Sequence, residues 1–201
     1  MKCARRDKVL SRGVGRCGIL SASQIPDFCT VRILDALIQK PRLVLAAFGL
    51  FCVAAVGSAH ALGEIFLLEV CAMCWFQRLS FLLAGAAFML AAAWPKLGLV
   101  TQRIGELGLL LGLASAARQT YLIANPELAS DNCAAGLFYY LQIEDYAGFL
   151  RAGMLGGIDC AENQPLILGL YLPQWSLLAF IGMLGLYVAW MGLRRARKVS
   201  A

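Results

Sequence analysis

The sequence predicts an all-α membrane protein: a four-transmembrane-helix bundle with a long outer loop bearing a short interfacial helix. Three observations predict it. Of the 201 residues, 60% are hydrophobic and only 15% charged, with a mean hydropathy of +0.70; soluble domains average nearer half apolar and a quarter charged. Four apolar stretches, roughly Leu43 to Leu62, Cys74 to Trp94, Ile104 to Ile123 and Trp175 to Leu193, approach the ~20 residues that cross a bilayer. Of the 18 Lys and Arg, 15 fall in the N-terminal tail, between the second and third stretches, or after the fourth. Helices are the natural spanning element, because each satisfies its backbone polar groups internally.

Residues 1–42 form a basic tail with little periodicity, in which Val31, Leu34, Leu37 and Ile38 mark one weakly amphipathic piece. A mostly disordered cytoplasmic extension is expected, too long for the n-region of an ordinary cleaved signal peptide. Nine cations lie in or beside this tail, two more (Lys96, Arg103) between spans two and three, and four (Arg194, Arg195, Arg197, Lys198) after span four. Only Arg78, Arg118 and Arg151 remain for the other side. With an even number of spans and positive charge retained inside, both termini are expected in the cytoplasm. The formal net charge of +6 then reflects topology and anionic lipid; it calls for no nucleic acid. Residues 43–193 are the membrane domain, and 194–201 a second basic tail.

The first outer loop, 63–73, is short and carries Glu64 and Glu69, while the inner turn Trp94-Pro95-Lys96 stops the second helix at its proline. The second outer loop, 124–174, is long. Asn125-Pro126 signals a turn, and Leu137, Tyr140, Leu141, Tyr146, Phe149, Leu150 and Met154 alternate with polar residues. One or two short helices on the outer membrane face are expected, with aromatic rings at headgroup level. Gly156-Gly157 before Cys160 predicts a hinge. No internal repeat is present.

Eight cysteines map onto this plan. Cys3, Cys17 and Cys29 fall in the inner tail, where thiols stay reduced, and Cys52 lies within the first span. Cys71, Cys74, Cys133 and Cys160 lie in the outer segments or at their edge. Four cysteines allow three pairings; sequence proximity favours the disulfides Cys71–Cys74 and Cys133–Cys160. A CxxC pair is a redox or metal-binding unit. A helix beginning near Cys71 directs free amides at its sulfurs and favours thiolate. Arg78 follows Cys74 by four residues, on the same helix face, and a charge within a span marks a functional site by default. Arg118 and Gln119 sit near the outer end of span three, where they are candidates to line the same pocket; snorkelling to the interface is the plain reading of either arginine. His60, the only histidine, lies near the outer end of span one and is a weaker candidate.

Taken in order, Cys71-Ala72-Met73-Cys74-Trp75-Phe76-Gln77-Arg78, Ser115-Ala116-Ala117-Arg118, Cys133, Asp159-Cys160-Ala161-Glu162 and Pro173-Gln174-Trp175 resemble the DsbB family of inner-membrane disulfide-generating proteins. The likeness covers about residues 43–193. Family members often carry a proline before the first CxxC cysteine, where Val70 stands here. The resemblance implies a multi-pass protein of the bacterial inner membrane with periplasmic loops, and an electron relay as its activity. A periplasmic DsbA-type thiol oxidase would attack the Cys133–Cys160 disulfide through Cys133. Electrons would pass by way of Cys160 and Cys71 to Cys74, and then to a membrane quinone, ubiquinone or menaquinone, held by Arg78. No metal is implied. Two rivals remain open: a quinone reductase of the vitamin K epoxide reductase type, and a cysteine-based metal binder or disulfide-stapled scaffold. The 26 residues between Cys133 and Cys160 fit poorly with closely paired zinc ligands.

Overall fold

The computed structural model describes residues 40–67, 70–129, 137–161 and 164–200; residues 1–39 of the basic tail, with Cys3, Cys17 and Cys29, and Cys133 lie outside them. Four helices among these are long and apolar enough to cross a membrane: α1 (Pro41–Ile65), α2 (Ala72–Ala93), α3 (Gly98–Ala124) and α7 (Leu172–Ser200). The four-helix membrane bundle expected from the sequence is the fold observed. Helix α3 begins at Gly98 rather than near Ile104, and α7 at Leu172 rather than Trp175. Hydropathy stops at charged residues, whereas helical hydrogen bonding does not; Arg103 pairs with Glu106 at 2.7 Å within α3.

Pro41 opens α1 at its first turn, where a missing N–H costs nothing. Cys71 is the N-cap of α2, its sulfur accepting from the Cys74 amide at 3.4 Å. The chain leaves α2 at Trp94, just before Pro95. Helix α2 is central, packed between α1 and α3, and α7 closes on α3. Small residues allow the close approach that helices need in lipid: a Cβ on Gly49 would meet the Gly85 carbonyl at 2.9 Å. Further along, Phe81 and Phe180 stack with centroids 3.9 Å apart, and Phe48 reaches Tyr187 and Trp190 of α7.

The long outer loop folds onto this bundle. It contains α4 (Leu137–Gln142), α5 (Tyr146–Leu155) and the single turn α6 (Ile158–Ala161). Asp145 caps α5, accepting from the Gly148 amide at 2.8 Å. Phe138, Tyr139 and Tyr146 are exposed along α4 and α5, as amphipathic interfacial helices require. The inner face of α5 is docked: Ser115 donates to the Gly153 carbonyl at 2.8 Å, and Gly153 lies against the Phe76 ring. At Gly156-Gly157, where the sequence suggests a hinge, the chain turns a corner that requires glycine at 156. Gly156 ends α5 at φ 69°, and any Cβ there would collide with Met73.

The sequence reading contained no strands, yet Leu166–Ile167 (β1) and Leu170–Tyr171 (β2) pair as a small hairpin. Its two-residue turn, Leu168 at φ 52° and Gly169 at φ 84°, has the positive angles of a type I′ turn. Two residues of the Pro173-Gln174-Trp175 run hold it. The Gln174 side chain accepts from the Tyr171 amide at 3.0 Å, and the Trp175 indole donates to the Ile167 carbonyl at 3.0 Å.

Candidate functional site

At the N-terminal end of α2, three cysteines converge. The Cys71 thiol donates to the Cys74 sulfur at 3.1 Å and is also hydrogen-bonded to Cys160. Cys71, Cys74 and Cys160 are all free thiols here, so the expected Cys71–Cys74 disulfide is not formed: a 3.1 Å separation is a hydrogen bond, against ~2.05 Å for a covalent S–S bond. Cys160 is 1% exposed, buried with Met73, Leu122, Ala129 and Ala161 by the docking of α5 and α6. Cys133 and the expected Cys133–Cys160 pairing fall outside the described residues.

The three sulfurs are not equivalent. Donation from Cys71, helped by the Gly157 and Met73 amides and opposed by burial, lowers Cys160 to about 6. Cys71 is pushed up instead, because its proton is committed to Cys160 and then to Cys74 and because it is buried. A helix N-terminus favouring thiolate on both CxxC sulfurs was the expectation; at Cys71 its role as donor outweighs that effect. Of the Cys71/Cys160 pair, Cys160 is the sulfur held toward thiolate, the reactive form of a cysteine.

Below the dithiol opens a cavity of about 380 Å³ between α1, α2, α7 and the hairpin. Cys74, Gln77 and Arg78 supply polar groups; Leu62, Phe81, Ile167 and Trp175 are among its apolar walls. Arg78 is 8% exposed, donates to the Ala59 carbonyl at 3.0 Å and lies 5.3 Å from the Trp75 ring centroid. The guanidinium thus sits within the bundle rather than snorkelling out of it. The size, the apolar walls and the few convergent polar groups fit a small, largely apolar ligand.

Two candidates stand elsewhere. His60 is exposed on α1, and Arg118 is half-buried with its guanidinium 5.7 Å from the Tyr121 ring centroid and its buried Nε without a hydrogen-bond partner. Neither lines the cavity. Helical rotation separates Arg118 from its neighbour Gln119 by about 100°, so only one of them faces the sulfurs. That one is Gln119, fully buried, with contacts to Cys71, Cys74, Cys160 and Gln77. Its sequence signal was a lone amide on an apolar helix face; the pocket reading included it, but nothing local ranked it above Arg118.

Comparison with known proteins places this site in context. Residues 41–190 match the family model described as "Disulfide bond formation protein DsbB". A relative named "Disulfide bond formation protein B 1" from Pseudomonas aeruginosa is 37% identical over 79% of this chain and 99% of its own length. "Disulfide bond formation protein B" from Hahella chejuensis is 36% identical over 71% of this chain and 87% of its own. The namesake from Methylobacillus flagellatus is 32% identical over 75% and 89%. No solved structure matches the chain. A four-helix bundle carrying a CxxC dithiol against a third thiol, matched over most of its length, makes this chain a member of the DsbB family of disulfide bond formation proteins, a multi-pass membrane disulfide oxidoreductase.

Proposed function

We propose that this oxidoreductase reoxidises a periplasmic DsbA-type thiol oxidase and passes the electrons to a membrane quinone. Its place would be the bacterial inner membrane, both termini cytoplasmic. One observation carries the reading: Cys71 contacts Cys160 on its outer side and Cys74 on its inner side, while Cys74 lines the cavity with Arg78. The chain of sulfurs leads from a loop toward an apolar pocket, and exchange runs through mixed disulfides in this way.

In the oxidised enzyme the incoming thiolate opens Cys133–Cys160 and leaves Cys160 as the free thiolate. Cys160 attacks Cys71 of the Cys71–Cys74 disulfide; a Cys71–Cys160 bond forms, the Cys71–Cys74 bond breaks, and Cys74 departs with the electron pair. The incoming sulfur is by then bonded to Cys133; the partner's second thiol displaces Cys133 and leaves as the partner's own disulfide, and the freed Cys133 thiolate attacks Cys160, which restores the loop disulfide and leaves Cys71 reduced. Bound quinone would supply the two-electron, two-proton acceptor. Around it, Arg78 holds a fixed positive charge on the cavity wall, and Phe81 and Trp175 exclude water, which strengthens that charge. The hairpin closes the outer side.

The test is anaerobic turnover of added quinone with a reduced DsbA-type partner. Cys160→Ala is expected to abolish partner oxidation while sparing quinone reduction by a small dithiol acting at Cys71 and Cys74. Partner oxidation that survives Cys160→Ala, or stoichiometric zinc with four free outer thiols, refutes the relay.

A further inference from the structure

Gln119 is buried completely on α3, with its nitrogen directed at the redox centre and its oxygen at Gln77 and, at 3.8 Å, at the Cys74 thiol. Its nitrogen lies 3.4 Å from the Cys71 sulfur, 3.3 Å from the Cys74 sulfur and 3.3 Å from the Cys160 carbonyl oxygen. Its oxygen accepts from the Gln77 side chain at 2.8 Å. The Cys160 carbonyl can only accept, so the nitrogen must face it, and the oxygen must then face Gln77. The orientation of the carboxamide is thereby determined by its surroundings.

Two amide hydrogens serve three acceptors. One is engaged by the Cys160 carbonyl, and the other is shared between the two CxxC sulfurs. We propose that Gln119 is a positioning residue for the exchange between Cys160 and Cys71: it clamps the α6 backbone to the dithiol and keeps a donor within reach of whichever CxxC sulfur carries charge. When Cys160 bonds to Cys71 and the Cys71–Cys74 bond breaks, the electron pair goes to Cys74, where the shared N–H is already 3.3 Å away. Gln77 holds the carboxamide in that orientation from one turn along α2. Leaving such buried groups unpaired is expensive, so the same contacts that serve the exchange also seat the loop.

This inference rests on the relay proposed above. It is tested in the full-length chain carrying Cys74→Ala and Cys133→Ala, where exchange halts at the Cys71–Cys160 disulfide. Equilibration against a glutathione buffer gives the effective concentration of the two thiols, read by mass spectrometry of the alkylated protein. Gln119→Met keeps the side-chain volume and is expected to lower that value about tenfold or more. Gln119→Glu keeps the length but replaces the donors with oxygens; its loss is expected to be several-fold greater at pH 8, where the carboxylate faces the sulfurs, than at pH 5. An unchanged equilibrium in Gln119→Met, or a pH-independent loss in Gln119→Glu, overturns the positioning role. Absence of any Cys71–Cys160 disulfide with Gln119 present overturns the relay itself, a separate and distinguishable result.

Discussion

Replacing Gly153 with alanine adds one methyl group, and the structure indicates how far that disturbance reaches. A Cβ at Gly153 would stand 2.5 Å from Phe76 Cγ and 2.9 Å from Phe76 Cβ. Phe76 cannot swing aside: it is buried on α2, packs beside Phe149, and its contact atoms lie close to its own backbone. Overpacking of this kind costs about 1–3 kcal/mol. Alanine in place of glycine within α5 returns up to ~1 kcal/mol of helix propensity. Taking about 2 kcal/mol from the middle of the overpacking range, the net penalty is about 1–2 kcal/mol, and it falls on the docking of α5, because that contact and the Ser115 bond to the Gly153 carbonyl join this part of the helix to the bundle. Cys160 follows α5 in the chain by way of the Gly156 corner, so its protection declines with docking. A penalty of that size corresponds to a factor of about 5–30 in population. Alkylation of Cys160 in the fully reduced protein is therefore expected to accelerate about 5- to 30-fold in Gly153→Ala. Gly57→Ala, where an added Cβ meets nothing within 4 Å, is the control and is expected to leave the rate unchanged. An alkylation rate in Gly153→Ala equal to the parent's would refute the claim that this contact seats the loop.

Arg78→Met removes the bond to the Ala59 carbonyl and the cavity's fixed charge; a more than tenfold rise in the KM for quinone is expected, with partner binding little altered, as measured by steady-state turnover at varied quinone. Cys71→Ala removes the donor that lowers Cys160 to about 6. With burial still acting against the Gly157 and Met73 amides, Cys160 is expected to titrate well above 6, so its thiolate fraction at pH 7 falls from about nine-tenths, measurable by thiolate absorbance. The linked stability has a defined sign. The depressed Cys160 contributes its stabilisation fully above pH 9 and loses it as pH falls toward and through 6; Cys71→Ala should flatten that dependence in chemical unfolding. Trp175→Phe deletes the indole bond to Ile167, worth about 1 kcal/mol, and is expected to weaken ligand retention in the cavity about fivefold in equilibrium binding.

Much of the centre was legible because its signals are local. The Cys71/Cys74 spacing and the Cys74/Arg78 register follow from helical geometry alone, and both Cys74 and Arg78 line one cavity. Gln119 was harder to single out. Its partners lie 41 to 48 positions away in sequence, and Arg118, the more conspicuous polar residue, points elsewhere. His60 is exposed and away from the cavity for a similar reason: proximity to the end of a span does not establish which way the side chain turns. The hairpin escaped notice because a two-residue strand has no periodicity to detect, and its turn places Leu168, not a glycine or asparagine, at a left-handed angle.

The fold class was determined by the sequence itself, since four apolar stretches in lipid have few alternatives to a helical bundle. Composition and charge placement required nothing beyond counting. What only the tertiary structure decided is the order of the sulfurs and the state of the loop. Gly156-Gly157 looked like freedom along the chain, but the space beside Met73 makes Gly156 a corner, and the corner carries Cys160 into contact with Cys71. Which thiol holds the proton depends on which neighbours donate to it, and donors are set by packing between helices rather than by spacing within one.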